Sequence, residues 1–167
     1  MTGSILPSSA LIALIAIALF FDFLNGLHDA ANSIATIVST RVLRPRYAVF
    51  WASFFNFIAF FFFGLHVAQT LGTGIIDPGI VDARVICGAL GGAIVWNIVT
   101  WIMGIPSSSS HALVGGLVGA GAAKAGLAAV VWGGLGKTAA AIFLSPLLGF
   151  FLALFLVLLV SWIFVRA

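Results

Sequence analysis

The chain has 167 residues, of which 63% are hydrophobic and only 7% charged, with a formal net charge of +3 and a mean hydropathy of +1.28. A soluble domain covers itself with charge on roughly a quarter of its residues, so the outer surface of this chain must face lipid. Seven Lys and Arg against four Asp, with no Glu, make no basic stripe and exclude nucleic acid as a partner.

The first apolar stretch covers residues 8–40 and stops at Arg41-Val-Leu-Arg-Pro-Arg46. As one straight helix it would be about 50 Å long at about 1.5 Å per residue, against a hydrocarbon core of about 30 Å. It is expected to be tilted, broken or to extend beyond the bilayer. Gly26, where helix propensity is weakest, marks the expected break. Met1 to Leu6 contain no Lys or Arg, so the basic region of a signal peptide is lacking and the stretch reads as a retained membrane helix. The three arginines of 41–46 place that loop on the cytoplasmic side and the amino terminus outside.

A second, Phe-rich helix is expected over 47–71, followed by a loop that includes Asp77-Pro78-Gly79. A third segment, 83–123, carries the polar tip Pro106-Ser-Ser-Ser-Ser-His111. Its second arm is too short to cross a bilayer, which predicts a re-entrant helical hairpin. The last helix, 138–165, is interrupted at Ser145-Pro146. Alternation of the transmembrane-barrel kind is missing, as is any internal repeat. Cys87, alone in an apolar run, reads as a small buried hydrophobe. The fold class is therefore all-α integral membrane, a single transmembrane domain.

Two constellations carry chemistry. Asp22, Asn25, Asp29, Asn32 and Thr36 advance by steps of three and four, which is one face of a helix, with His28 beside it. Ionisable groups at membrane depth are costly and mark ion or substrate paths. A chain with four carboxylates that sets two of them on this face spends them on function. An interhelical hydrogen-bond seam is the bland alternative. The second constellation is the tip, Ser107, Ser108, Ser109, Ser110 and His111. Pro106 disfavours helix at Ile105, and Ser is a preferred N-cap. A helix opening at Ser109 or Ser110 aims free N–H groups and a positive dipole end at the tip, as anion sites do. The alternatives are a water-exposed loop and a Ser–His nucleophile. The second is weak, because adjacency does not supply nucleophile–base geometry.

At Asn25-Gly-Leu-His-Asp-Ala-Ala-Asn32 and Pro106-Ser-Ser-Ser-Ser-His111-Ala-Leu-Val-Gly-Gly116 the chain resembles the inorganic phosphate transporter (PiT) family. That family's signature is Gly-x-Asn-Asp-x-Ala-Asn, with His for the first Asn in many bacterial members. Its tip is Pro-x-Ser-Ser/Thr-Ser/Thr-His. The resemblance implies two inverted repeats with phosphate between them near the midplane. This chain carries one signature and one tip, and is expected to be one inverted-repeat half. A second homologous half or a homo-oligomer would then be its partner. The resemblance also implies secondary transport of phosphate across the cytoplasmic membrane, coupled to protons in the His-form members, often as a neutral metal–phosphate complex. Sodium couples others, and a few carry sulfate. Asp29, Asn32, Ser108, Ser109 and Ser110 would bind phosphate or its coupling ion, with Asp22 and His28 as further candidates. No cofactor is expected. A sulfate or other oxyanion carrier, an accessory subunit without transport and a membrane-embedded enzyme are the competing readings. With three His and no Glu, the enzyme is the poorest of them.

Overall fold

The computed structural model describes residues 7–63 and 74–165. Among the described residues, five long helices carry the fold. They are α1 (Ser8–Ser39), α2 (Pro45–Phe63), α3 (Ala83–Met103), α4 (Ser109–Ala125) and α5 (Trp132–Phe164). Among the described residues the only β pairing is an isolated bridge, Ile76 to Val130. Of these helices, α1, α3 and α5 are long and apolar enough to cross a membrane.

α1 is one continuous helix of 32 residues, which corrects the expected break at Gly26. A Gly inside a helix costs only about 1 kcal/mol against Ala, and apolar surroundings penalise any freed backbone group more heavily. Among the described residues nothing lies within 4 Å of where a Cβ at Gly26 would sit, and none of them forces the chain apart there. The helix stops at a left-handed residue, Arg41 (φ 57°). The Val42 N–H reaches the carbonyl of Ile37 and the Arg41 N–H that of Val38, both at 3.1 Å, the paired bonds of a Schellman ending.

α2 opens at Pro45, whose fixed φ suits a first helical turn and whose missing N–H costs nothing there. Its aromatic side chains pair along the helix, Phe50 with Phe54 and Trp51 with Phe55. They are exposed, as an apolar lipid-facing surface must be. The remainder of the expected second helix, 64–71, lies outside the described residues.

α3 and α4 form a helical hairpin. Asp82 caps α3, its carboxylate accepting the Val85 N–H at 3.0 Å. At the far end Gly104 takes the left-handed conformation (φ 66°), and the Ile105 N–H bonds the Thr100 carbonyl at 2.9 Å. Pro106 follows, so the chain leaves the helix and turns back. The two arms meet through small residues. Gly88 faces Ala120, and Gly92 faces Gly116, an i, i+4 pair on each helix that lets the backbones approach closely. Of the tip-arm glycines, Gly116 and Gly121 touch neighbours, while Gly115 and Gly119 face open space. Phe21 of α1 packs on Leu90 and Ala93 of α3, with Ala112 and Leu113 of α4 closing the cluster.

Residues 1–130 and 131–167 are separate compact units, and α5 belongs to the second. It begins six residues before the expected 138 and runs on through Pro146. A proline removes one hydrogen bond without ending a helix whose remaining bonds lie in apolar surroundings.

The open end of the hairpin is fastened by charge. Lys124 Nζ lies 2.7 Å from the Asp82 carboxylate and donates to the Ile80 carbonyl at 2.7 Å. The hydrogen bond from Lys124, then that from the Val85 N–H, hold the Asp82 carboxyl below its ordinary value of 3.8. A lowered folded-state value means a contribution fully present above the ordinary value and lost as pH falls through the lowered one. Asp82→Asn keeps a good cap and removes the charge. Its thermal midpoint should fall below that of the unsubstituted chain at pH 7, and the gap should close as acidification carries the Asp82 carboxyl through its lowered value. It should also narrow in 1 M salt, where screening acts over about 3 Å. A gap independent of pH and salt would show that the pair adds nothing.

Candidate functional site

The tip forms as its residues dictate. Ser108 is the N-cap of α4, with extended backbone and its hydroxyl accepting the His111 N–H at 3.4 Å. Replacing such a cap by Ala costs about 1 kcal/mol of helix stability. The N–H groups of Ser109 and Ser110 are those a helix start leaves without intrahelical partners. Ser107 is held from the other arm, where the Trp96 indole N–H donates to its hydroxyl at 3.1 Å. Ser109 is buried, and its hydroxyl donates to the side-chain carbonyl of Asn25 on α1. This last bond joins the two sequence constellations directly, across 84 positions of chain.

Three cavities lie along these elements. The largest, about 810 Å³, runs along the hairpin from Gly88 and Gly92 to Trp96, Ser107, Ser108 and His111. A smaller one, about 200 Å³, lies between α1 and the tip, with His28, Asn32, Thr100 and Ser107 as its polar lining. A third, about 400 Å³, lies between α1 and α2 and is lined by Asp22, Asn25, Asp29, Ser53 and Asn56. Ser110 is exposed and borders none of them.

The stripe on α1 is thus divided. At about 100° per residue, Asp22 and His28 stand roughly 120° apart around the helix, enough to face different neighbours. Asp22 and Asp29 look toward α2, while His28 and Asn32 look toward the serine tip. Asn25, between them, borders the α2 cavity and bonds the tip. Thr36 lines none of these cavities, and its backbone carbonyl accepts the Thr40 hydroxyl at 2.6 Å.

Five further residues, which the sequence motifs leave out, belong to this neighbourhood: Ser53 and Asn56 on α2, and Trp96, Asn97 and Thr100 on α3. Asn97 is fully buried, at 0% exposure. Neither polar atom of its side chain has a hydrogen-bond partner among the described residues, and the same holds for both ring nitrogens of His28. A buried polar group left unpaired costs about 1–3 kcal/mol. A single Asn at membrane depth inside the apolar run of α3 was the available signal.

The sequence profile of the phosphate transporter family matches residues 25–167. The chain belongs to the phosphate transporter family. It is 78% identical over 156 residues to a "probable low-affinity inorganic phosphate transporter" of Rhizobium meliloti (strain 1021), a match covering 93% of this chain and 47% of the relative. A relative of the same name in Bacillus subtilis (strain 168) is 47% identical over 156 residues, or 92% of this chain and 46% of the other. A solved structure, "The sodium-dependent phosphate transporter", superposes with a TM-score of 0.84 at 31% identity, over 92% of this chain and 39% of that one. The chain spans about half the length of these curated relatives. In this member of the phosphate transporter family, the Asn25–Ser109 bond connects the α1 motif to the serine tip.

Proposed function

We propose that this chain forms one half of a secondary transporter that carries inorganic phosphate across the cytoplasmic membrane in several passes, coupled to a cation. The observation that carries the reading is the Asn25–Ser109 bond, which brings the α1 polar motif to the serine tip of the hairpin. On this reading the hairpin is re-entrant. Phosphate lies at the tip, taking hydrogen bonds from the hydroxyls of Ser107, Ser108 and Ser109, from the free N–H groups at the start of α4 and from His111. Ser110, His28 and Asn32 complete the tip side. The coupling cation lies on the other side of α1, where Asp22 and Asp29 share a cavity with Asn25, Ser53 and Asn56. Oxygen ligands of this kind suit a hard cation or a proton. Sodium dependence in the name of the structural neighbour supports cation coupling, and the names of the relatives support phosphate. The tip presents donors to one side of an anion. A second homologous half completes the shell, since a multiply charged oxyanion needs more donors to offset its desolvation.

A graft tests this, with the present chain replacing the matching stretch of the rhizobial relative. Reconstituted in proteoliposomes, it should take up radiolabelled phosphate and respond to an imposed proton or sodium gradient, the responding gradient naming the ion. Sulfate in tenfold excess should leave that uptake standing. Uptake of sulfate in preference would give the oxyanion reading instead, and uptake of neither by an inserted, folded graft would refute transport.

A further inference from the structure

Asn97 sits at the level of the Asn25–Ser109 bond. Phe21 of α1 lies against Leu90 and Ala93 of α3, and His28 borders the same cavity as Thr100. α1 and α3 therefore advance together, and Asn25 falls opposite Asn97. From the hairpin side, Gly116 meets Ala89 and Ser107 bonds Trp96, so the start of α4 falls opposite the same turn of α3. Leu90, Ala93, Asn97 and Thr100, the buried face of α3, run along this junction. Between α1 and α4 stands a carboxamide at 0% exposure with neither polar atom paired among the described residues.

We propose that Asn97 is a positioning residue of the phosphate site, the second partner of Asn25. In the structure the Asn25 side-chain carbonyl accepts from the Ser109 hydroxyl. When that hydroxyl turns to an oxyanion at the tip, the Asn97 amide donates to Asn25 in its place. Without Asn97, every turn of Ser109 toward the anion would leave the half-buried Asn25 carbonyl without the protein donor it now has, and binding would be weakened accordingly. With it, one hydrogen bond is exchanged for another and Ser109 is free to serve the substrate. The unpaired state of Asn97 is the resting half of this exchange, a local cost of the sort found where function and not stability sets the residue. The inference rests on the phosphate reading for the occupant of the tip, but the pairing itself does not.

The test is a double-substitution cycle in the purified, detergent-solubilised chain. Asn97→Leu replaces an unpaired carboxamide by an apolar group of similar shape and should raise the thermal midpoint. Ser109→Ala should cost little, because Asn97 takes over Asn25. The two together deprive Asn25 of both partners, so the double variant should melt well below the sum of the singles. A double variant that fails to fold while both singles fold is the same result at its limit. Additive shifts, a lowered midpoint in Asn97→Leu, or a Ser109→Ala chain that does not fold each overturn the exchange. In the proteoliposome graft, Asn97→Leu should raise KM for phosphate about tenfold, the scale of one buried hydrogen bond, with a smaller change in maximal rate. A purely structural role would lower the amount of folded protein and leave KM alone. A graft that moves no phosphate at all removes the occupant proposed for the tip, while the melting cycle still decides the pairing.

Discussion

Gly116→Ala should lower the thermal midpoint by roughly 10 °C, the equivalent of about 3 kcal/mol in a chain of this size. A Cβ at this position would fall inside the van der Waals envelope of the Ala89 carbonyl oxygen and 3.2 Å from the Ala89 Cα. Both obstacles are backbone, so neither can rotate away, and the only relief is to push α3 and α4 apart. That separation would also stretch the Trp96–Ser107 bond and move the tip away from Asn25. The comparison that isolates the effect is Gly115→Ala, one residue earlier, where nothing lies within 4 Å. There the better helix propensity of Ala should leave stability unchanged or raised by up to about 1 kcal/mol. Melting of the two purified variants side by side decides the matter. Equal midpoints would mean that the close approach of the arms contributes nothing.

Asp29→Asn in the graft should abolish cation-coupled phosphate uptake, with a fall of at least about tenfold, or about 1.4 kcal/mol. The substitution keeps the shape of the side chain and most of its hydrogen bonding but removes the negative charge. Asp29 and Asp22 line one cavity with Asn25, Ser53 and Asn56, and two carboxylates in one cavity at membrane depth attract a cation strongly. With one charge gone, the cavity holds its ion less tightly and the coupling gradient no longer drives uptake. Insertion and detergent monodispersity of the variant should match the unsubstituted graft, because Asp29 is exposed and Asn keeps its shape. Unaltered uptake would show that Asp29 serves only the fold, and loss of folding would point to a structural seam between α1 and α2.

The sequence by itself determined the class of the protein and the outline of its site. A chain so poor in charge must satisfy its backbone in helices or in a closed barrel, and the missing strand alternation left helices, which is why an all-helical membrane protein was legible from the sequence. Pro106 and the serines after it were enough to place the hairpin tip and its N-cap, because capping is decided within one turn of chain. Helical spacing likewise collected Asp22, Asn25, Asp29 and Asn32 on one side of α1. What surrounds that side is another matter. Spacing gives the angle of a side chain about its own helix and says nothing about the helix that covers it. Only the packing of α2, α3 and α4 around α1 sent the two aspartates toward Ser53 and Asn56 and sent His28 and Asn32 toward Ser107. The continuity of α1 through Gly26 was also beyond local reading, since a weak helix former breaks a helix only where a neighbour or a ligand stabilises the freed groups. Asn97 shows the limit most plainly. Its type is visible in the sequence, but not its complete burial or its lack of a hydrogen-bond partner among the described residues, and burial is a property of the assembled helices.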